Sequence, residues 1–240
     1  MHIRQPVYSL RVTPEQHSIT TTTHGRVLVR RPQARPIRGV LVGFHGYSET
    51  AAIQLPRLEQ IPGLDDWTLV SVQALHRFYR GRTSGVGASW MTHEDRETMI
   101  ADNLAYVASA LRLVDDDPSR PLVYAGFSQG VAMAFRAALL GPRPAAAVVV
   151  VGGDVPPELL ADETLTFPPL LLARGSADEW YTAAKFDHDV AGLRARRAPF
   201  EAFVYDAPHE WTRAVSNAAG AWLERVVPGK TEGTEETEHP

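Results

Sequence analysis

Gly126-Phe127-Ser128-Gln129-Gly130 sets a serine between two glycines, where the apolar run "PLVYAGF" gives way to an alanine-rich one. A serine hydroxyl is a weak nucleophile at neutral pH. Chemistry at Ser128 therefore requires a histidine to take its proton and a carboxylate to fix that histidine's tautomer. A G-x-S-x-G turn from strand to helix is too sharp for side chains at its flanks, and it projects the hydroxyl above the sheet. The plainer alternative, a serine that only caps the next helix, is weakened by the strand pattern before Ser128 and the helix pattern after it.

In chains built on such a turn the other two groups follow the nucleophile. His188, His209 and His239 are the histidines beyond Ser128. His239 lies in the polar C-terminal stretch. His188, in "KFDHDVAGL", falls inside a helical pattern and reads as part of a solvated face; Asp187 and Asp189 beside it lack the i, i+4 spacing of a metal site. His209, in "FVYDAPHEW", follows the last predicted strand at its C-terminal end, where open α/β sheets place their chemistry.

Asp178 in "ARGSADEW" and Asp154 in "VGGDVPP" each lie just past a predicted strand. Asp178 leaves the strand directly before the one that carries His209 and is the closer candidate. Asp154 also suits a turn cap, and Asp206 sits on the same strand as His209. Attack on a carbonyl further needs donors aimed at the developing oxyanion. The backbone N–H of Tyr47, in "GFHGYSET", and that of Gln129 are the pair the spacing offers, with the Tyr47 side chain open to substrate contact. His45 reads as a packed, hydrogen-bonded loop residue rather than a catalytic one.

These residues need elements to hold them. Short, nearly continuous apolar runs at 38–46, 67–75, 121–128, 145–153, 168–176 and 200–208 read as buried parallel strands. Helical patterns lie at 51–60, 93–114, 129–140, 181–197 and 209–227. Thr92 with Asp95 resembles a capping box for the second of them. "HSITTTTHGRVLVRRP" reads as an antiparallel ribbon turning at His24-Gly25. Strand and helix alternate, so the expected architecture is α/β: a mostly parallel twisted sheet, an N-terminal antiparallel ribbon and helices on both faces. One domain over 1–227 is expected. Residues 228–240, acidic and without apolar anchors, are expected to be a disordered tail.

A net charge of −4 without a basic block gives no footprint for nucleic acid, and no apolar run is long enough to span a membrane. The absence of cysteine and of a secretory pattern in "MHIRQPVYSLRV" points to a cytoplasmic location. Lys185 and Lys230 are the only lysines, an arginine bias typical of a GC-rich bacterial genome.

Strand-His45-Gly46-Tyr47, "GFSQG", Gly175-Ser176-Ala177-Asp178 and Pro208-His209-Glu210, in this order, resemble the phospholipase/carboxylesterase group of the α/β-hydrolase superfamily. That group includes small bacterial carboxylesterases and acyl-protein thioesterases. The likeness spans about residues 25 to 225. It implies an α/β-hydrolase fold without a large cap domain, acting on carboxylic or thio esters, lysophospholipids among them, with neither metal nor cofactor. It also implies a small-molecule ester partner, with monomer and homodimer both open. A lactone hydrolase or peptidase using the same three residues, or a non-catalytic ligand-binding member of the fold, are the rival readings.

"GVGASWMTHED" is similar to the group's tryptophan-bearing loop and would place Trp90 at the pocket wall. Met91-Thr92 replace the common Phe-Asp, and Val131 stands where a second glycine is frequent. Both departures bear on acyl preference rather than on the three reacting groups. In the loop "LHRFYRGRTSGVGASW", His76, Phe78, Tyr79 and Trp90 are candidates to line an acyl pocket. Arg77, Arg80 and Arg82 make that loop basic, which suits either solvent or an acidic substrate.

Overall fold

A computed structural model describes residues 14–228, apart from 34, 35, 83 and 116. In chain order the elements are β1 (Arg26–Arg30), β2 (Gly39–Phe44), α1 (Ala51–Glu59), β3 (Trp67–Gln73), β4 (His76–Tyr79), β5 (Val86–Ser89), α2 (Arg96–Val114), β6 (Leu122–Phe127) and α3 (Gln129–Leu140). Then follow β7 (Ala147–Val151), α4 (Pro157–Ala161), β8 (Leu170–Gly175), α5 (Ala183–Ala195), β9 (Phe200–Tyr205) and α6 (Arg213–Val226).

Seven strands form one sheet in the order β1-β3-β2-β6-β7-β8-β9. Every pairing is parallel except β1 with β3, where Leu28 faces Ser71. The continuous apolar runs have a simple cause: β2, β3, β6, β7 and β8 are buried along their whole lengths. Alternate residues feed opposite faces. Val40, Val42, Val148 and Val150 pack with Val107 of α2, Phe135 of α3 and Leu193 of α5. Leu41, Val149 and Val151 pack with Leu58 of α1 and with Val215 and Trp222 of α6. β9, at the sheet edge, is largely open: Glu201, Ala202 and Val204 are exposed, Phe200 and Phe203 are half-buried, and Tyr205 is buried.

From β2 the chain passes through α1 to β3 on one side and returns after α2 to β6 on the other. The C-terminal ends of β2 and β6 therefore flank a switch point, the place where open α/β sheets leave a crevice. Among the described residues the excursions from this layering are small. They are the antiparallel β4–β5 hairpin, with Phe78 opposite Gly87, and the five-residue α4.

Several details differ from the sequence expectation. The N-terminal ribbon is a single strand: β1 finds its antiparallel partner in β3, and residues 17–23 take no strand hydrogen bonds. No turn forms at His24-Gly25, because the chain there lies against Tyr106, whose hydroxyl both accepts from Arg26 N and donates to Arg26 O. Thr92 does not cap α2. Its Oγ1 accepts from Glu94 N within its own turn, and the helix starts later, with Asp95 as a left-handed N-cap (φ 50°) whose side chain makes no capping bond. The last helix starts at Arg213, leaving His209 on a loop. The acidic stretch from 229 onward lies outside the described residues.

Candidate active site

β6 ends at Phe127 and α3 begins at Gln129, so the whole reversal falls on Ser128, at φ 53° and ψ −121°. A non-glycine residue held there costs on the order of 1–3 kcal/mol, and it persists because its surroundings fix it. Ser128 N donates to Val151 O of the neighbouring strand (2.9 Å). A Cβ on Gly126 would stand 2.5 Å from Gly130 O, and one on Gly130 would stand 2.2 Å from Phe44 O. The two flanking glycines thus let the elbow seat on itself and on the end of β2.

The projected hydroxyl meets its partners. Ser128 Oγ lies 2.9 Å from His209 Nε2, and His209 Nδ1 lies 2.7 Å from Asp178 Oδ2. A carboxylate only accepts, so Nδ1 carries the imidazole proton and Nε2 is the acceptor for the serine hydroxyl. The other Asp178 oxygen accepts from Trp180 N (2.9 Å) and Tyr181 N (2.8 Å), with the carboxylate wholly buried. Phe127 packs against the His209 ring at 5.0 Å, and the Arg57 guanidinium sits 4.3 Å from the centroid of the same phenyl ring.

The weaker candidates go elsewhere. Asp154 faces Lys185 Nζ at 3.4 Å, Asp206 accepts from Ser176 Oγ at 3.2 Å, and His188 lies on an exposed position of α5. Asp189, its helix neighbour, is buried. Its Oδ2 accepts from Tyr181 Oη (2.8 Å) and Val155 N (3.0 Å), so one carboxylate ties together the loops that follow β7 and β8. Burial, with the charge of Asp154, raises the Asp189 pKa despite those two bonds. Burial, and then Asp189 itself, raises that of Tyr181.

The loop after β2 is held in three places. His45 is fully buried, its Nδ1 donating to Gly46 O (2.7 Å) and its Nε2 accepting from Ala74 N (3.0 Å), an arrangement that needs the neutral ring. Burial accordingly holds its pKa below the ordinary value. Gly46 N donates to Glu49 Oε2 (2.8 Å), and both Glu49 oxygens pair with Arg57 (2.6 and 2.7 Å). Burial opposes the ionisation of Glu49, but Arg57 and the Gly46 N–H outweigh it and hold its pKa low. Ser48 N donates to Ala88 O, which docks the β4–β5 hairpin on this loop.

Gln129 braces the other side. Its Oε1 accepts from Trp90 N (2.9 Å), and its Nε2 donates to Met91 O (2.9 Å) and Ser89 Oγ (3.1 Å). As the first residue of α3, its own N–H has no carbonyl four residues back within the helix.

Of the residues expected to line a substrate pocket, His76, Phe78, Tyr79 and Trp90, none lines the cavity at Ser128. A cavity of about 400 Å³ holds Ser128 and His209, and its walls include Met91, Ala132, Pro156 and Trp180. Phe78 and Tyr79 line a different cavity, about 510 Å³, between β1, the start of α1 and the hairpin. Phe78 also stacks on the exposed Tyr47 ring (5.5 Å). His76 is exposed on the hairpin and lines neither cavity. Trp90 is no pocket wall: its side chain is fully buried, edge-on to Phe44 (5.3 Å), with Nε1 donating to His45 O (2.8 Å). An indole N–H needs a partner when buried, and the His45 carbonyl at the end of β2 supplies it.

Reading the sequence missed Trp180, Tyr181, Arg96 and Arg136 as wall residues. The first two had a signal, an aromatic pair two and three residues after the candidate acid. Arg136 had another, a cation at helical spacing from Gln129 and Ala132 on the apolar face of α3.

The strand order, the antiparallel edge strand and the elbow after β6 define the α/β-hydrolase fold. No family model matches the sequence, and neither does any curated protein. Solved structures do match. Esterase PE8 superposes with a TM-score of 0.70 at 21% identity, covering 84% of this chain and 99% of that one. Zea mays acyl-protein thioesterase 2 gives 0.65 at 20%, covering 85% and 100%. The Bacillus cereus carboxylesterase gives 0.65 at 18%, covering 84% and 94%. At these identities the likeness establishes the shared fold. Among the described residues, no helix is long and apolar enough to cross a membrane.

Proposed function

We propose that the chain is a serine hydrolase that cleaves carboxylic esters, thioesters and lysophospholipids included, through an acyl-enzyme on Ser128. The observation that carries this reading is the hydrogen-bonded series Ser128 Oγ–His209 Nε2 (2.9 Å) and His209 Nδ1–Asp178 Oδ2 (2.7 Å) at a positive-φ elbow. As Ser128 Oγ bonds to the ester carbonyl carbon, its proton passes to His209 Nε2, and Asp178 stabilises the imidazolium. The carbonyl oxygen takes the negative charge. In this reading it is met by the backbone N–H groups of Tyr47 and Gln129, those of Gly46 and Ser48 being taken up by Glu49 and Ala88. His209 then protonates the leaving alcohol, and water, deprotonated in turn by His209, releases the acid.

Every proton in this cycle is accounted for by side chains already present, so the reaction as proposed uses no metal or cofactor. The fold shared with structures titled esterase, thioesterase and carboxylesterase fits this chemistry. A cytoplasmic location accompanies the proposal, since a chain without cysteine makes no use of an oxidising compartment. The test is labelling by a fluorophosphonate, which reports an activated serine whatever the natural substrate. Wild type should label and turn over a short activated ester. Absence of both would refute the assignment, and a series of ester, thioester, lactone and amide substrates ranks the rival acyl groups.

A further inference from the structure

Two arginines in the wall of the serine cavity share one carboxylate. Glu158 of α4 accepts from Arg136 Nε (2.9 Å) and Nη2 (2.5 Å) through Oε1, and from Arg96 Nη2 (3.0 Å) through Oε2. The Nη1 group of each guanidinium turns instead to the Met91 thioether, at 3.5 Å from Arg136 and 3.4 Å from Arg96. A thioether is a weak acceptor, so this cluster holds two cations, one anion and donors that are poorly matched. Across the cavity, Lys185 and Asp154 are half-exposed and offset each other. Glu94, Asp95 and Glu97 flank Arg96 but are exposed and lie outside the cavity wall, where water and salt screen them. Arg136 is 1% exposed, and a charge at that depth is screened far less.

The cluster is also placed to be reached from the nucleophile. Gln129, Ala132 and Arg136 form one stripe of α3 along the cavity, and the eight steps from Ser128 to Arg136 span about 12 Å along the helix. We infer that the substrate carries an anionic oxygen group, a carboxylate or phosphate, several methylenes from the scissile carbonyl, and that Arg96 and Arg136 with Met91 form its subsite. This rests on the hydrolase reading above. It involves different arginines from the exposed Arg77, Arg80 and Arg82 of the hairpin region.

The experiment compares kcat/KM for charged and neutralised esters of equal length. One arm uses the para-nitrophenyl monoester of suberic acid against its methyl diester, placing the charge on the acyl side. The second uses the octanoyl ester of an ω-hydroxyoctanoate against that of its methyl ester, placing it on the alcohol side. The expected result is a preference of about tenfold for the acid in one arm, falling several-fold in Arg96→Gln and as salt is raised, and rising in Glu158→Gln. Arg96 is half-exposed and the salt titration needs no variant, so the result does not hinge on a buried change being tolerated. Turnover of the methyl esters with no acid preference in either arm overturns the subsite while leaving the hydrolase intact. Failure to turn over any ester or to label with fluorophosphonate overturns the hydrolase reading itself.

Discussion

The hairpin-side and α4-side cavities differ in a way their compositions conceal. The hairpin-side cavity, with Phe78 and Tyr79, is the larger and carries the rings that an acyl pocket calls for, yet Ser128 does not line it. The α4-side cavity is walled by Met91, Ala132, two prolines and Trp180, and it contains both Ser128 and His209. Apolar content marks a cavity; the direction of the strand-to-helix reversal decides which one the Ser128 hydroxyl enters.

The comparison can be broken most forcefully at the elbow. Ser128→Ala should lower kcat for an activated ester by about 10⁴-fold or more with the fold preserved, checked by steady-state kinetics and circular dichroism; near-wild-type turnover would place the chemistry outside the α4-side cavity. Filling that cavity is the next largest step. Ala132→Phe, on the stripe between Ser128 and Arg136, should cut kcat/KM for long-chain esters about 10- to 100-fold, with a smaller loss for acetate esters. If acyl length made no difference, the acyl chain would not run along α3.

Tyr181→Phe removes the hydroxyl that Asp189 accepts and leaves a buried carboxylate with one fewer donor, a loss of about 1–3 kcal/mol. In a domain of this size that corresponds to a melting temperature lower by about 2–4 °C per kcal/mol, measurable by calorimetry, with a fall in kcat rather than a rise in KM if the Asp178 loop shifts.

The loop after β2, where His45 is buried, carries a pH signature. Burial lowers the pKa of His45 below its ordinary 6.5, so the unfolded chain binds this proton more readily than the folded one. The stability from keeping His45 neutral is complete above pH 6.5 and is lost as pH falls toward the folded pKa. The urea midpoint should therefore drop between neutral and mildly acidic buffer, and drop less in His45→Gln; equal drops would assign the effect to other groups. The smallest effect belongs to the hairpin side. Tyr79→Ala should change kcat/KM by less than about twofold, within the range of exposed substitutions; a large loss would bring the hairpin cavity into substrate binding.

Much of this architecture is legible in the chain. The near-continuous apolar strands, the order of Ser128, Asp178 and His209 after β6, β8 and β9, and the His45-Gly46-Tyr47 loop depend on burial and on sequence order, both of which are local patterns. What escaped depends on which side of an element faces inward. Trp90 sits in an aromatic-rich loop and suggests a pocket wall, but its indole N–H finds His45 O and the ring turns into the core. The ribbon failed for a related reason. Residues 17–23 have strand-like composition, but β3 already supplies the partner for β1. Asp189 stands in the sequence as a neighbour of His188 without metal-site spacing, and its role depends on a tyrosine hydroxyl and a loop N–H that no spacing rule connects to it.

Gln129 ends up with two occupations, a main-chain donor at the elbow and a side chain that grips Trp90 N and Met91 O. Tyr47, the other proposed donor, has a side chain 61% exposed. The two therefore differ in evolvability. Selection can rewrite the surface at Tyr47 without disturbing its amide, whereas a change at Gln129 loosens the grip on Trp90 and Met91 and, in the proposed mechanism, moves an oxyanion donor with it, so a library randomised there is expected to yield few survivors and little to choose between them.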